Sequence, residues 1–115
     1  MTITIFHNPR CSKSRQTLGL IEEKGLTPTI VEYLKDAPTK ATLKTLLKEL
    51  GLKPRDLMRK KEAPYKELNL ADESKSDDEL IEAMVNNPIL IERPIVMTPK
   101  GARLGRPPED VLEIL

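Results

Sequence analysis

The sequence predicts an α/β fold, a four-stranded mixed sheet in the order βαβ, a helical middle, then ββα. Three observations predict it. Two β-branched stretches, residues 2–6 and 28–33, flank a segment carrying helix start and stop signals. Leucines at helical spacing occupy the middle of the chain. Near the end, two short apolar runs flank Pro99-Lys100-Gly101, a hairpin signature.

Residues 2–6 alternate Thr and Ile and end in Phe, which reads as a strand. Asn8-Pro9 ends it, because the residue before proline is pushed out of the helical region. A helix is predicted from Ser12 to about Lys24, with Gly25 as its stop and Leu18 and Ile21 facing the core. Residues 28–33, "PTIVEY", form the second strand, parallel to the first through a right-handed crossover. Leu43, Leu46, Leu47 and Leu50 follow the spacing i, i+3, i+4, i+7, and Gly51 closes that helix. A further turn or short helix is expected from Pro54 to about Met58, and Pro64 restarts the chain. Ser76 caps a helix with acids at 77–79 in its first turn and Leu80, Ile81, Met84 and Val85 as its buried face. Pro88 lies just beyond its end. Residues 94–98 and 102–104 are the hairpin strands, and Pro107-Pro108-Glu109-Asp110 opens a final short helix.

A chain of 115 residues suits one domain, here 1–115. Lysine plus arginine total 19 against 18 acids, a formal net charge of +1. No global field steers the protein onto nucleic acid or an anionic membrane, so neither is an expected partner and anion binding has to come from local charge. The apolar start, residues 1–6, is too short for a signal peptide or a membrane span. One cysteine forms no internal disulfide, and with one histidine it makes no tetrahedral zinc site. A reduced, cytoplasmic monomer without a bound cofactor or metal is expected.

The lone cysteine, Cys11, and the lone histidine, His7, lie four positions apart where the first helix opens. Two roles are open to Cys11: a small packing group, or a nucleophile. Charge patterning favours the second. The helices after Ser76 and Pro108 carry acids in their first turns, which suits the positive end of the helix dipole. The helix after Cys11 instead begins Ser12-Lys13-Ser14-Arg15 and has no acid before Glu22. A helix start left open in this way receives an anion, and it lowers the pKa of a thiol placed there.

Three blocks carry a resemblance over nearly the whole chain: "FHNPRCSKSRQTL" at 6–18, "LMRKKEAPYKELNL" at 57–70 and "IERPIVMTPKGARLGRPPEDV" at 91–111. Together they resemble the glutaredoxin-dependent arsenate reductase family. The resemblance implies a thioredoxin-like fold and an attack by Cys11 on arsenate. It implies that His7 lowers the thiol pKa and that Arg59, Arg93 and Arg106 bind the oxyanion. Glutathione is the implied co-substrate, glutaredoxin the implied partner, and a cis bond before Pro94 is implied as well. From residue chemistry alone, planar guanidinium forks suit an oxyanion, yet Arg103 fits as well as its neighbours, and Arg10, Lys13 and Arg15 are also candidates. Asn8 is first a turn device, with its side-chain amide a second candidate for the anion.

The chain departs from the family pattern at Ser12, where many relatives have glycine, at Gly105, where some have cysteine, and in lacking the longer tail of some members. Together these departures suggest a shorter branch of the family, in which weak arsenate turnover, or another physiological task, is an expectation. With no second thiol, an external one has to resolve any adduct on Cys11. Two alternatives come from other classes. One is an Spx-type regulator or adaptor of the same fold, although Ser14 stands where the sensing pair's second cysteine would be. The other is a glutathione-dependent thiol enzyme acting on another oxyanion.

Overall fold

A computed structural model describes residues 2–115; Met1, part of the apolar start, lies outside the described residues. The chain divides into two compact units. One comprises the segment up to residue 36 with residues 93–115, and the other residues 37–92.

The first unit contains the sheet. Strand β1 (Thr4–His7) leads into α1 (Ser12–Glu23) and β2 (Thr29–Glu32), and the chain returns as β3 (Ile95–Thr98) and β4 (Gly101–Leu104). The strand order is β2-β1-β3-β4. β1 pairs parallel with β2, placing Ile5 opposite Ile30, and antiparallel with β3, placing Ile5 opposite Val96. β3 and β4 form the predicted hairpin, with Thr98 opposite Gly101. The sheet is therefore mixed and four-stranded, as expected. Ile5 and Phe6 point to opposite faces of the sheet, yet both are buried. Ile3, Ile5, Ile21, Val96, Val111 and Ile114 form one cluster, with Leu18 and Leu26 packed at its margin. Each such aliphatic side chain contributes roughly 1.5–3 kcal/mol when fully removed from water.

Several boundaries differ from expectation. β1 starts at Thr4 rather than Thr2 and runs one residue further, to His7. The hairpin turn is shorter than predicted, because Gly101, at φ 134, already belongs to β4. The closing segment Pro108–Ile114 is a 3-10 helix. In α1 the fully buried positions are Ser14, Thr17 and Ile21, with Leu18 only partly buried. Two hydroxyl residues thus lie on the face predicted to be aliphatic. Thr17 satisfies its hydroxyl by donating to the Lys13 carbonyl at 2.8 Å.

The second unit is helical. α2 (Lys40–Leu50) starts at Thr39, whose hydroxyl accepts from the Thr42 amide, and stops at Gly51 in the left-handed region. A 3-10 turn at Pro54–Leu57 and a short α3 (Ala63–Glu67) follow. α4 (Asp77–Asn86) begins with a reciprocal capping box: the Glu79 amide donates to Ser76 Oγ at 3.2 Å, and the Ser76 amide donates to Glu79 Oε1 at 3.1 Å. Leu43, Leu46, Leu47, Leu80, Ile81 and Met84 are buried as the periodicity predicts, while Leu50 and Val85 at the helix ends are half-buried. No described helix is long and apolar enough to cross a membrane.

Candidate active site

The end of β1 and the start of α1 are joined by Asn8-Pro9-Arg10-Cys11. The Asn8 side-chain oxygen accepts from the Arg10 amide at 3.0 Å, and the Asn8 carbonyl accepts from the Cys11 amide at 3.0 Å. Asn8 therefore acts as the turn device that residue chemistry favoured, with its side-chain oxygen engaged within the loop. Cys11 itself is the N-cap of α1, in extended conformation at φ −93, and its side chain makes no cap bond to the helix. No acid occupies the first turn. Cys11 is 9% exposed.

Opposing effects act on that thiol. Burial pushes its pKa up. The Ser14 amide, the Arg93 charge, the Lys13 amide and a hydrogen bond from the Arg93 side chain all favour the thiolate. The second group prevails, so the thiol lies below its ordinary value. Two independent sources thus act on one sulfur: amides of the first helical turn, and a guanidinium brought from the start of β3.

His7 is buried, and its Nδ1 lies 2.6 Å from Ser14 Oγ. The same Oγ accepts from the Asn8 amide at 3.0 Å. Burial lowers the histidine pKa; Glu32 opposes this and Arg15 reinforces it. His7 does not figure among the groups acting on the sulfur. The ring is bonded to Ser14, whose amide is among the groups that favour the thiolate. Ser14 is the residue that sequence reading missed as a contributor. Its position three residues after Cys11, in a first turn lacking acids, was the available signal.

The Arg93–Pro94 bond is cis, and so is Arg106–Pro107, which the sequence reading did not anticipate. Arg93 Nε and Nη1 are shielded from water. Arg106 donates from Nη1 to the Arg93 carbonyl at 3.1 Å. Between them, the Gly105 amide donates to the Pro94 carbonyl at 2.9 Å. A Cβ at Gly105 would overlap Thr17 Oγ1 and Pro94 Cγ, so only glycine fits the backbone as it stands. The first unit thereby gathers Cys11, Ser14, His7, Arg93 and Arg106. Arg103 is committed elsewhere, pairing with Glu113 at 3.1 Å.

Arg59 belongs to the second unit, just after the isolated bridge between Met58 and Ile91. Its amide donates to the Leu90 carbonyl at 2.7 Å. Its guanidinium pairs with Glu62 at 3.2 Å and with Glu92 at 3.7 Å. Any anion reaching Arg59 competes with two carboxylates. Among the described residues, no group of three or more His, Cys, Asp or Glu side chains is arranged to hold a metal. A groove of about 190 Å³ borders the cysteine loop, lined by His7, Asn8, Arg10, Glu32 and Lys35.

Residues 6–114 match the ArsC family. The chain belongs to the ArsC family. It is 59% identical to the uncharacterized protein YfgD of Escherichia coli K12, over 98% of this chain and 96% of that protein. It is 51% identical to an arsenate reductase of Rhizobium meliloti, over all of this chain and 82% of the relative. An arsenate reductase from Vibrio cholerae superposes with a TM-score of 0.97 at 54% identity, covering all of this chain and 98% of that structure. The four-stranded sheet is that of the thioredoxin-like ArsC fold. In this ArsC member, both the cysteine loop and the cis-proline turn belong to the first unit.

Proposed function

We propose that this ArsC protein is an arsenate reductase in which the Cys11 thiolate attacks arsenate. The observation that supports it best is the sulfur's setting: a lone thiol at a helix start, favoured as thiolate by the amides of Ser14 and Lys13 and by Arg93. Its named relatives in Rhizobium meliloti and Vibrio cholerae are arsenate reductases. Arg93 and Arg106 hold the oxyanion, their forks matching its oxygens in pairs. Attack forms a sulfur–arsenic bond and expels one arsenate oxygen as water. Glutathione then adds to the arsenic adduct. Glutaredoxin takes up the glutathionyl sulfur as a mixed disulfide, so two thiol sulfurs are oxidised while arsenic gains two electrons; water then cleaves the sulfur–arsenic bond, freeing the Cys11 thiol and releasing arsenite. This chain has one cysteine, so both of those sulfurs come from outside it.

The test is an NADPH-coupled assay with arsenate, glutathione and glutaredoxin. Native protein turns over, and Cys11→Ser does not; residual arsenate reduction by that variant refutes the assignment. Running phosphate, sulfate and arsenate side by side distinguishes a reductase from a thiol enzyme acting on another oxyanion. An unreactive thiol of ordinary pKa, insensitive to any of the three anions, supports the adaptor.

A further inference from the structure

The hydrogen-bond arrangement around Ser14 decides where the proton on His7 resides. Ser14 is fully buried, and its Oγ has two neighbours: the Asn8 amide at 3.0 Å and His7 Nδ1 at 2.6 Å. The amide can only donate, so it occupies an acceptor site on Oγ. The hydroxyl proton then needs an acceptor of its own, because a buried donor left unmade carries its full desolvation cost. Among the described residues, His7 Nδ1 is the one acceptor bonded to that oxygen. If Nδ1 were protonated it would donate into the second acceptor site of Oγ, and the buried hydroxyl proton would be left without a partner.

We propose that Ser14 is a positioning residue for this centre: its hydroxyl fixes His7 as the neutral ring with the proton on Nε2, and the same oxygen anchors the turn that follows Cys11. His7 then acts on the nucleophile through Ser14 and not through a positive charge. The same oxygen ties the end of β1, through the Asn8 amide, to the first turn of α1. That turn carries the amides of Lys13 and Ser14 that favour the thiolate. Glu32 pulls the ring toward protonation, while burial and Arg15 pull it away, and the net effect is in line with a neutral imidazole. The assignment deepens the reading of Cys11 as a nucleophile and borrows from it only the meaning of the sulfur's placement.

His7 is the sole histidine, so its ring nitrogens are read without ambiguity by nitrogen-15 NMR of the intact protein. At pH 7 the native protein is expected to show Nδ1 unprotonated and Nε2 protonated. In Ser14→Ala both nitrogens move toward the averaged values of two exchanging tautomers. Alkylation of Cys11 by iodoacetamide at pH 7 slows about fivefold, the equivalent of one hydrogen bond's net worth. A native ring protonated at Nδ1, neutral or charged, overturns the proposal, and this measurement needs no variant. An unchanged ring pattern in folded Ser14→Ala overturns it too. Native protein that shows the expected tautomer and yet fails to reduce arsenate supports the Ser14 assignment and counts against the reductase reading alone.

Discussion

Gly105→Ala is the sharpest test of how the cis-proline turn is held against α1. The new Cβ would lie 2.7 Å from Pro94 Cγ and 3.1 Å from Thr17 Cγ2, with Thr17 Oγ1 closer still. Neither neighbour yields easily. Pro94 is a ring within the turn, and Thr17 is tied to the Lys13 carbonyl at 2.8 Å. The turn must therefore open, at the expense of the 2.9 Å bond from the Gly105 amide to the Pro94 carbonyl. Overpacking costs about 1–3 kcal/mol, and the lost bond about 1 kcal/mol more, so a loss near 3 kcal/mol is expected. At about 4 °C per kcal/mol for a domain this size, the Tm falls by roughly 12 °C. Urea unfolding at unchanged m-value measures the loss. Moving Pro94 also draws Arg93 off the sulfur, so iodoacetamide alkylation of Cys11 at pH 7 slows in the same variant. Thr17→Ala removes two of the three obstructing atoms, so the double variant loses at least 1 kcal/mol less than the sum of the singles. A loss below about 0.5 kcal/mol for Gly105→Ala, or strict additivity, refutes the argument.

Cys11 also makes stability depend on pH. Its folded pKa is depressed, so the thiolate's contribution is complete above the unfolded value of about 8.5 and is lost as pH falls through the folded value. The stability difference between native protein and Cys11→Ser, followed from pH 9 downward, therefore shrinks by at most about 1.4 kcal/mol per pH unit; His7 is common to both proteins and cancels. A difference that stays flat over that range contradicts the assigned sulfur environment. In the second unit, Ser76→Ala removes the cap of α4 and costs about 1 kcal/mol in denaturant unfolding, with alkylation of Cys11 unchanged. A loss within error would show that the capping box contributes nothing measurable.

The alternation of Ile3 and Ile5, the 3–4 spacing of Leu43, Leu46 and Leu47, and the signals Ser76, Gly25 and Gly51 made the elements legible, because local sterics and amphipathic periodicity act within a few residues. So did the position of Cys11 at a helix start lacking acids. The buried hydroxyl face of α1 was not legible. Ser14 and Thr17 are polar, and whether a polar side chain is buried depends on partners supplied by distant chain or by the folded loop. His7 and the Asn8 amide satisfy one, and Gly105 packs on the other. Likewise, seven arginines are interchangeable in a one-dimensional reading.

The sequence by itself determined the order of strands and helices and the presence of a single thiol at a helix start. Only the tertiary structure decided that Arg93 is among the groups favouring the Cys11 thiolate, that Arg103 goes to Glu113, and that His7 is bonded to Ser14. The physical reason is range. Helix and strand preferences are set by neighbours along the chain, whereas a hydrogen bond or a charge pair is set by which backbones the fold brings within about 3–4 Å.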